Sequence, residues 1–81
     1  MKQPTREEIT QKIQLVLDEK ITRESVYEWA QNYIRNDDII ELEDIDAWYY
    51  LIAISNIDEM IAPNDYLFDK EDIQNIMKEY I

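Results

Sequence analysis

Apolar residues recur along this chain at helical spacing, and each recurrence begins just after a residue suited to cap a helix. Ile9, Ile13, Val16 and Leu17 follow one another at steps of four, three and one, which gathers them on one face of an α-helix. Thr5-Arg6-Glu7-Glu8 precedes them and reads as a capping box, with the threonine oxygen accepting from an early amide and Glu8 reaching back. A helix is predicted over about residues 5–20. Thr22 is the next cap, with Glu24 in the first turn and Val26, Trp29, Ala30 and Tyr33 as the inward stripe of a helix over about 22–35. Asn36 is its expected stop, because asparagine tolerates the left-handed conformation.

A third helix, over about 43–56, is apolar around nearly its whole circumference, from Ile45 through Trp48, Tyr49, Tyr50, Leu51, Ile52, Ala53 and Ile54. Such a helix is expected to be buried on several sides. A short turn over about 58–62 follows, then Pro63-Asn64-Asp65. Asp69-Lys70-Glu71-Asp72 opens a last helix over about 69–80, whose inner face is Ile73, Ile76, Met77 and Tyr80. Phe68 and Ile73 are placed to form a hydrophobic staple at its entry. Glycine is absent, and tight hairpins and phosphate loops lean on it, so helices joined by Asn- and Asp-bearing turns are expected throughout. The predicted fold is all-α: one compact four-helix domain over 1–81 with the third helix at its centre.

Composition then narrows the function. A hydrophobic fraction of 46% with nine aromatic residues suffices for a packed interior and argues against disorder. Nineteen acids against eight bases give a net charge of −11. A chain so charged repels phosphate backbones and anionic lipid, so neither nucleic acid nor membrane is an expected partner. No cysteine is present to report an oxidising compartment. The start of the chain lacks the apolar stretch of a signal peptide, and the longest apolar-rich run, Ile45 to Ile54, is far short of the roughly 20 residues that cross a bilayer. The cytoplasm is the expected location.

The same composition removes most catalytic chemistry. Without histidine or cysteine, the usual general base, the thiolate nucleophile and the commonest transition-metal ligands are missing. Ser25 and Ser55 sit at a helix start and a helix end, ordinary places for serine. Carboxylates abound, but a catalytic pair needs one acid of raised pKa in an apolar cleft, for which a small helical domain has little room. The acids from Asp37 to Asp46 lack the glycine of a calcium loop. No enzymatic activity, no cofactor and no metal site are expected.

What remains is surface. Asp37, Asp38, Glu41, Glu43, Asp44 and Asp46 put six acids into eleven positions, and Asp58 and Glu59 continue them beyond the third helix. Concentrated negative charge speeds encounter with a basic partner. Trp29 and Trp48 lie on inner faces, whereas Tyr27 lies off its helix's stripe and one of Tyr49 and Tyr50 must face away from the core. Tyrosines beside acids are typical of binding hot spots. The expected partner-binding set is therefore those eight acids with Tyr49 and Tyr50.

Residues Ile21 to Ala30, then Asp46-Ala47-Trp48-Tyr49-Tyr50-Leu51, Asp58, and Tyr66 to Ile73 resemble a family of short acidic bacterial proteins of unassigned function. That resemblance implies an immunity- or antitoxin-like partner. In size, acidity, helix count and its Tyr49-Tyr50 pair the chain is also similar to colicin-type nuclease immunity proteins. There proline follows the tyrosines on a short helix, whereas here Leu51 follows. The resulting expectation is a protein-binding domain, monomer or weak homodimer, that covers a basic protein with its acidic, tyrosine-bearing face. The alternative is a structural or regulatory module that self-associates through Met60, Ile61, Leu67 and Phe68.

Overall fold

Four side-chain oxygens start four helices in the computed structural model, which describes residues 1–80. The last residue of the expected 1–81 span lies outside the described residues. The helices are α1 (Arg6–Leu17), α2 (Arg23–Ile34), α3 (Ile45–Ile54) and α4 (Lys70–Tyr80). Thr5 Oγ1 accepts from the Glu8 amide at 3.1 Å while Glu8 Oε1 accepts from the Thr5 amide at 3.5 Å, closing a capping box. Thr22 Oγ1 accepts from Ser25 N at 3.1 Å and Asp44 Oδ1 from Ala47 N at 3.3 Å. Asp69 and Asp72 cap reciprocally, at 2.8 and 3.1 Å. Each cap contributes about 1 kcal/mol by satisfying amides that have no partner inside the helix.

The ends differ from expectation. α1 stops at Leu17 rather than near Lys20, because Glu19 takes a left-handed conformation with φ of 60°. The Lys20 amide then reaches Leu15 O at 2.8 Å and the Glu19 amide reaches Val16 O at 3.0 Å, the Schellman arrangement usually built on glycine. Asn36, expected to be left-handed, has φ of −110°. Its side chain donates to Asn32 O at 2.6 Å instead, and the chain runs on into a 3-10 turn over Asp37–Ile39.

The all-α expectation is also corrected, since the fold is predominantly helical with a small antiparallel sheet. Strands β1 (Met60–Ala62) and β2 (Asp65–Tyr66) pair Met60 with Tyr66 and Ala62 with Asp65. Asn64 turns the hairpin at φ of 63°, supplying the conformation for which glycine was thought necessary.

α3 packs against the other three helices. Tyr50, Leu51 and Ile54 are fully buried there with Ile9, Ile13, Val26, Ala30, Ile57 and Ile73. Its far side is open: Ile45, Tyr49 and Ile52 are exposed by 50, 53 and 42%, and Leu42 just before it by 49%. The third helix is therefore central on one side only. A strap formed by the first residues flanks its entry, with the Glu41 amide donating to Met1 O at 3.0 Å. Gln3 then takes the Glu43 and Asp44 amides at 2.6 and 3.0 Å and donates to Asp44 O at 2.8 Å.

Candidate functional site

The acidic residues singled out in the sequence are spread over the 3-10 turn, the entry of α3 and the segment after it. Asp37 and Asp38 lie exposed in the 3-10 turn, and the exposed Glu41 is tied through its backbone to the N-terminal strap. Glu43 is exposed, with its amide held by Gln3. Asp44 is occupied twice, as the cap of α3 and as the partner of Arg6. That guanidinium grips it with Nε to Oδ2 at 2.8 Å and Nη2 to Oδ1 at 3.0 Å. The forked hydrogen bond holds the Asp44 carboxyl below its ordinary range and raises the Arg6 guanidinium, against the opposing effect of burial. Asp46 lies 3.6 Å from the same arginine. Asp58 and Glu59 follow the other end of α3, about 15 Å away along a helix of ten residues.

The tyrosine pair divides. Tyr49 is exposed by 53%, whereas Tyr50 is fully buried, stacks on Tyr80 with centroids 5.3 Å apart, and shares a 2.9 Å hydrogen bond with Thr10 Oγ1. Burial raises the Tyr50 phenol above its ordinary value, with the Thr10 bond opposing. Tyr50 offers no surface to a partner. Trp29 is half-buried, edge-on to Tyr33 at 5.5 Å and covered by Lys12 at 5.5 Å. Among the described residues no group of three acidic side chains converges as a metal site would require, and no helix is long and apolar enough to cross a membrane.

A surface that the sequence reading missed is built from the scarce cations. Arg23 is spent inside the fold: its Nη1 donates to Ile57 O at 2.9 Å and to Phe68 O, and its guanidinium lies 4.0 Å over the Tyr66 ring. It forms one wall of a cleft of about 480 Å³ between the α1–α2 turn, β2 and the start of α4, where Lys20 and Lys70 also reach the rim. Glu19 is 3.6 Å from Lys70, both well exposed, so solvent and salt screen that pair. Lys70, Gln74 and Lys78 continue from the cleft along α4 at steps of four, all exposed, and this spacing aligns them on one flank of the helix. Asp72, Asn75 and Glu79 fall on the other flank, with Glu71 between. The signal was present in the i, i+4 spacing, but net charge hid it.

These features define a small acidic helical domain with three of its five lysines on one helix and the turn beside it. The model of a family described as YxzC DNA-binding protein matches residues 3–80, and the chain belongs to that family. A curated relative from Bacillus subtilis (strain 168), described as uncharacterized protein YxzC, is 38% identical over 73 residues, which are 90% of this chain and 59% of the relative. The chain thus spans about three-fifths of that relative's length. No solved structure matches.

The family's DNA-binding description overturns the expectation that nucleic acid is excluded. The basic protein partner and the immunity-like role fall with it, and the self-associating alternative gains no support. The resemblance to an uncharacterised bacterial family stands, while that to colicin immunity proteins does not. The physical error lay in using a whole-molecule sum. Phosphates respond to charges within roughly a Debye length, about 8–10 Å at physiological salt, so the total of −11 does not by itself exclude a contact through exposed lysines.

Proposed function

We propose that this chain is a DNA-contacting domain that acts by binding, without catalysing a reaction, and meets duplex phosphates with Lys20, Lys70 and Lys78. Membership over residues 3–80 in a family described as DNA-binding carries the proposal. The exposure of these three lysines beside a single cleft and helix supports the choice of surface. The acids of residues 37–46 surround the entry to α3, on other elements. A cytoplasmic location follows from the proposal, since bacterial DNA is there. Long-range repulsion by the negative total lowers the encounter rate at low salt and is screened at physiological salt. With three lysine contacts, the logarithm of the binding constant should fall with the logarithm of salt at a slope of about −2.7.

Fluorescence anisotropy of a labelled duplex tests this. The wild type should bind at least in the range of roughly 1–100 µM typical of non-specific association. Joint substitution of Lys20, Lys70 and Lys78 by alanine should remove most of that affinity and flatten the salt dependence, with the helical circular dichroism unchanged. No binding by the wild type in that range, or equal binding by the triple variant, would refute the proposal.

A further inference from the structure

We infer that the cleft between the α1–α2 turn, β2 and the start of α4 receives one unpaired nucleotide of the DNA, with its base against the apolar floor and its phosphate at the rim that carries Lys20 and Lys70. The inference rests on the DNA-contacting proposal above and adds an unpaired base as the ligand of that surface. Charge alone makes this protein a weak DNA binder, because a few exposed lysines supply the attraction and the total of −11 opposes approach. Seating a base in an apolar recess draws instead on stacking and on removal of apolar surface from water, which do not depend on the sign of the protein's charge.

Two clefts of about 480 Å³ can be compared, and both fall within the roughly 300–1,000 Å³ of recesses that hold small ligands. Their linings differ. The cleft beside the N-terminal strap sets Lys2 and Arg6 against Glu7, Glu8, Glu43 and Asp44, so it repels an anion. The cleft at the α1–α2 turn sets Lys20, Arg23 and Lys70 against Glu19 and Glu24. Both of those acids are engaged, since Glu19 lies 3.6 Å from Lys70 and Glu24 Oε1 accepts from the Tyr66 hydroxyl at 3.4 Å. The floor is apolar: Leu17 and Ile21 are half-buried there, beside the buried Val16 and Ile73. Tyr66, also half-buried, adds an aromatic wall whose ring is held by Arg23 at 4.0 Å and by its own bond to Glu24. An aromatic wall beside cations is the combination that holds single-stranded nucleic acid, with the ring taking the base and the cations the backbone. A paired base is kept in the stack of the duplex, and extruding it costs free energy, least where the base is already unpaired. The nucleotide that enters is therefore one at an overhang or a bulge.

Fluorescence anisotropy tests this by comparing a blunt duplex with duplexes that differ only in one unpaired thymidine, placed at a 3′ end, at a 5′ end or in an internal bulge. At least one of the three should bind about 5- to 150-fold more tightly than the blunt duplex, the range of one stacked base, and which one it is identifies the source of the nucleotide. Replacing that thymidine by an abasic residue keeps the phosphate and removes the base, and should return the affinity to that of the blunt duplex; this comparison needs no variant protein. Tyr66→Phe keeps the ring and should keep the preference, whereas Tyr66→Leu should lose most of it with the helical circular dichroism unchanged. Equal binding of blunt and unpaired duplexes, or a preference that persists in full with the abasic residue or in Tyr66→Leu, overturns the inference while leaving duplex contact in place. Absence of binding to every one of these DNAs overturns both.

Discussion

Arg23→Ala removes a guanidinium that fastens three parts of the chain together. From the first position of α2 it donates to Ile57 O at 2.9 Å, just past α3, and to Phe68 O, just before α4, while lying 4.0 Å over Tyr66 of the hairpin. A hydrogen bond involving a charged group contributes about 1.5–3 kcal/mol when both partners leave water. Arg23 is half-buried, so the lower figure applies to each of its two bonds, and a partly exposed cation–π contact adds about 0.5–1 kcal/mol. These sum to about 3.5–4 kcal/mol, and solvent screening of the partly exposed guanidinium brings the expected loss to about 3 kcal/mol. Against a total of roughly 4–12 kcal/mol for a domain of this length, that is a large share. The melting temperature should fall by about 12–24 °C. Arg23→Lys keeps the charge but loses the fork that reaches two carbonyls, and should recover no more than about half of the loss. Thermal unfolding followed by circular dichroism decides: a melting temperature for Arg23→Ala within about 3 °C of wild type would refute the fastening role, and Arg23→Lys equal to wild type would assign the effect to charge alone.

Two further outcomes follow from local geometry. Glu19→Gly should stabilise the protein by about 0.5–1 kcal/mol in denaturant titration, because a left-handed glutamate costs about 1–2 kcal/mol and glycine's extra chain entropy returns only part of it; loss of stability would show that the exposed Lys70 pair matters more than the backbone. The same substitution releases Lys70 and should tighten duplex binding. Arg6→Gln should lower the melting temperature at neutral pH by an amount that stays constant down to about 3.8, the ordinary carboxylate value, and then closes. The sign follows from Asp44 being lowered in the folded state: its contribution is complete above the unfolded value and is lost as pH falls through the folded one. A difference that persists unchanged through that fall would exclude the Arg6–Asp44 fork as its source.

Helix starts were legible because they are local: Thr5, Thr22, Asp44 and Asp69 each bond an amide three residues on. The hairpin was not, since the absence of glycine was taken to exclude a tight turn that Asn64 makes. The N-terminal strap could not be read either, because Gln3 meets Glu43 and Asp44 across some forty residues of sequence and no periodicity records that contact. Which of Tyr49 and Tyr50 faces inward depends on where α3 lies against α1 and α4, a tertiary fact. Polarity alone also made α3 look buried all round, whereas Ile45, Tyr49 and Ile52 face solvent. The candidate site was lost for a different reason: a net charge of −11 was applied to the whole surface, while Lys20, Lys70 and Lys78 stand exposed on α4 and the α1–α2 turn beside it.

DNA is proposed to meet the lysine-bearing flank of α4 and the turn beside it. Titrating a short duplex into the isotopically labelled protein and following backbone amide resonances tests it residue by residue. Perturbations should concentrate over Lys70–Lys78 and Asp18–Thr22, with the acidic stretch Asp37–Asp46 and Tyr49 unmoved. Perturbations centred on that acidic stretch, or none at all with duplex in excess, would contradict it.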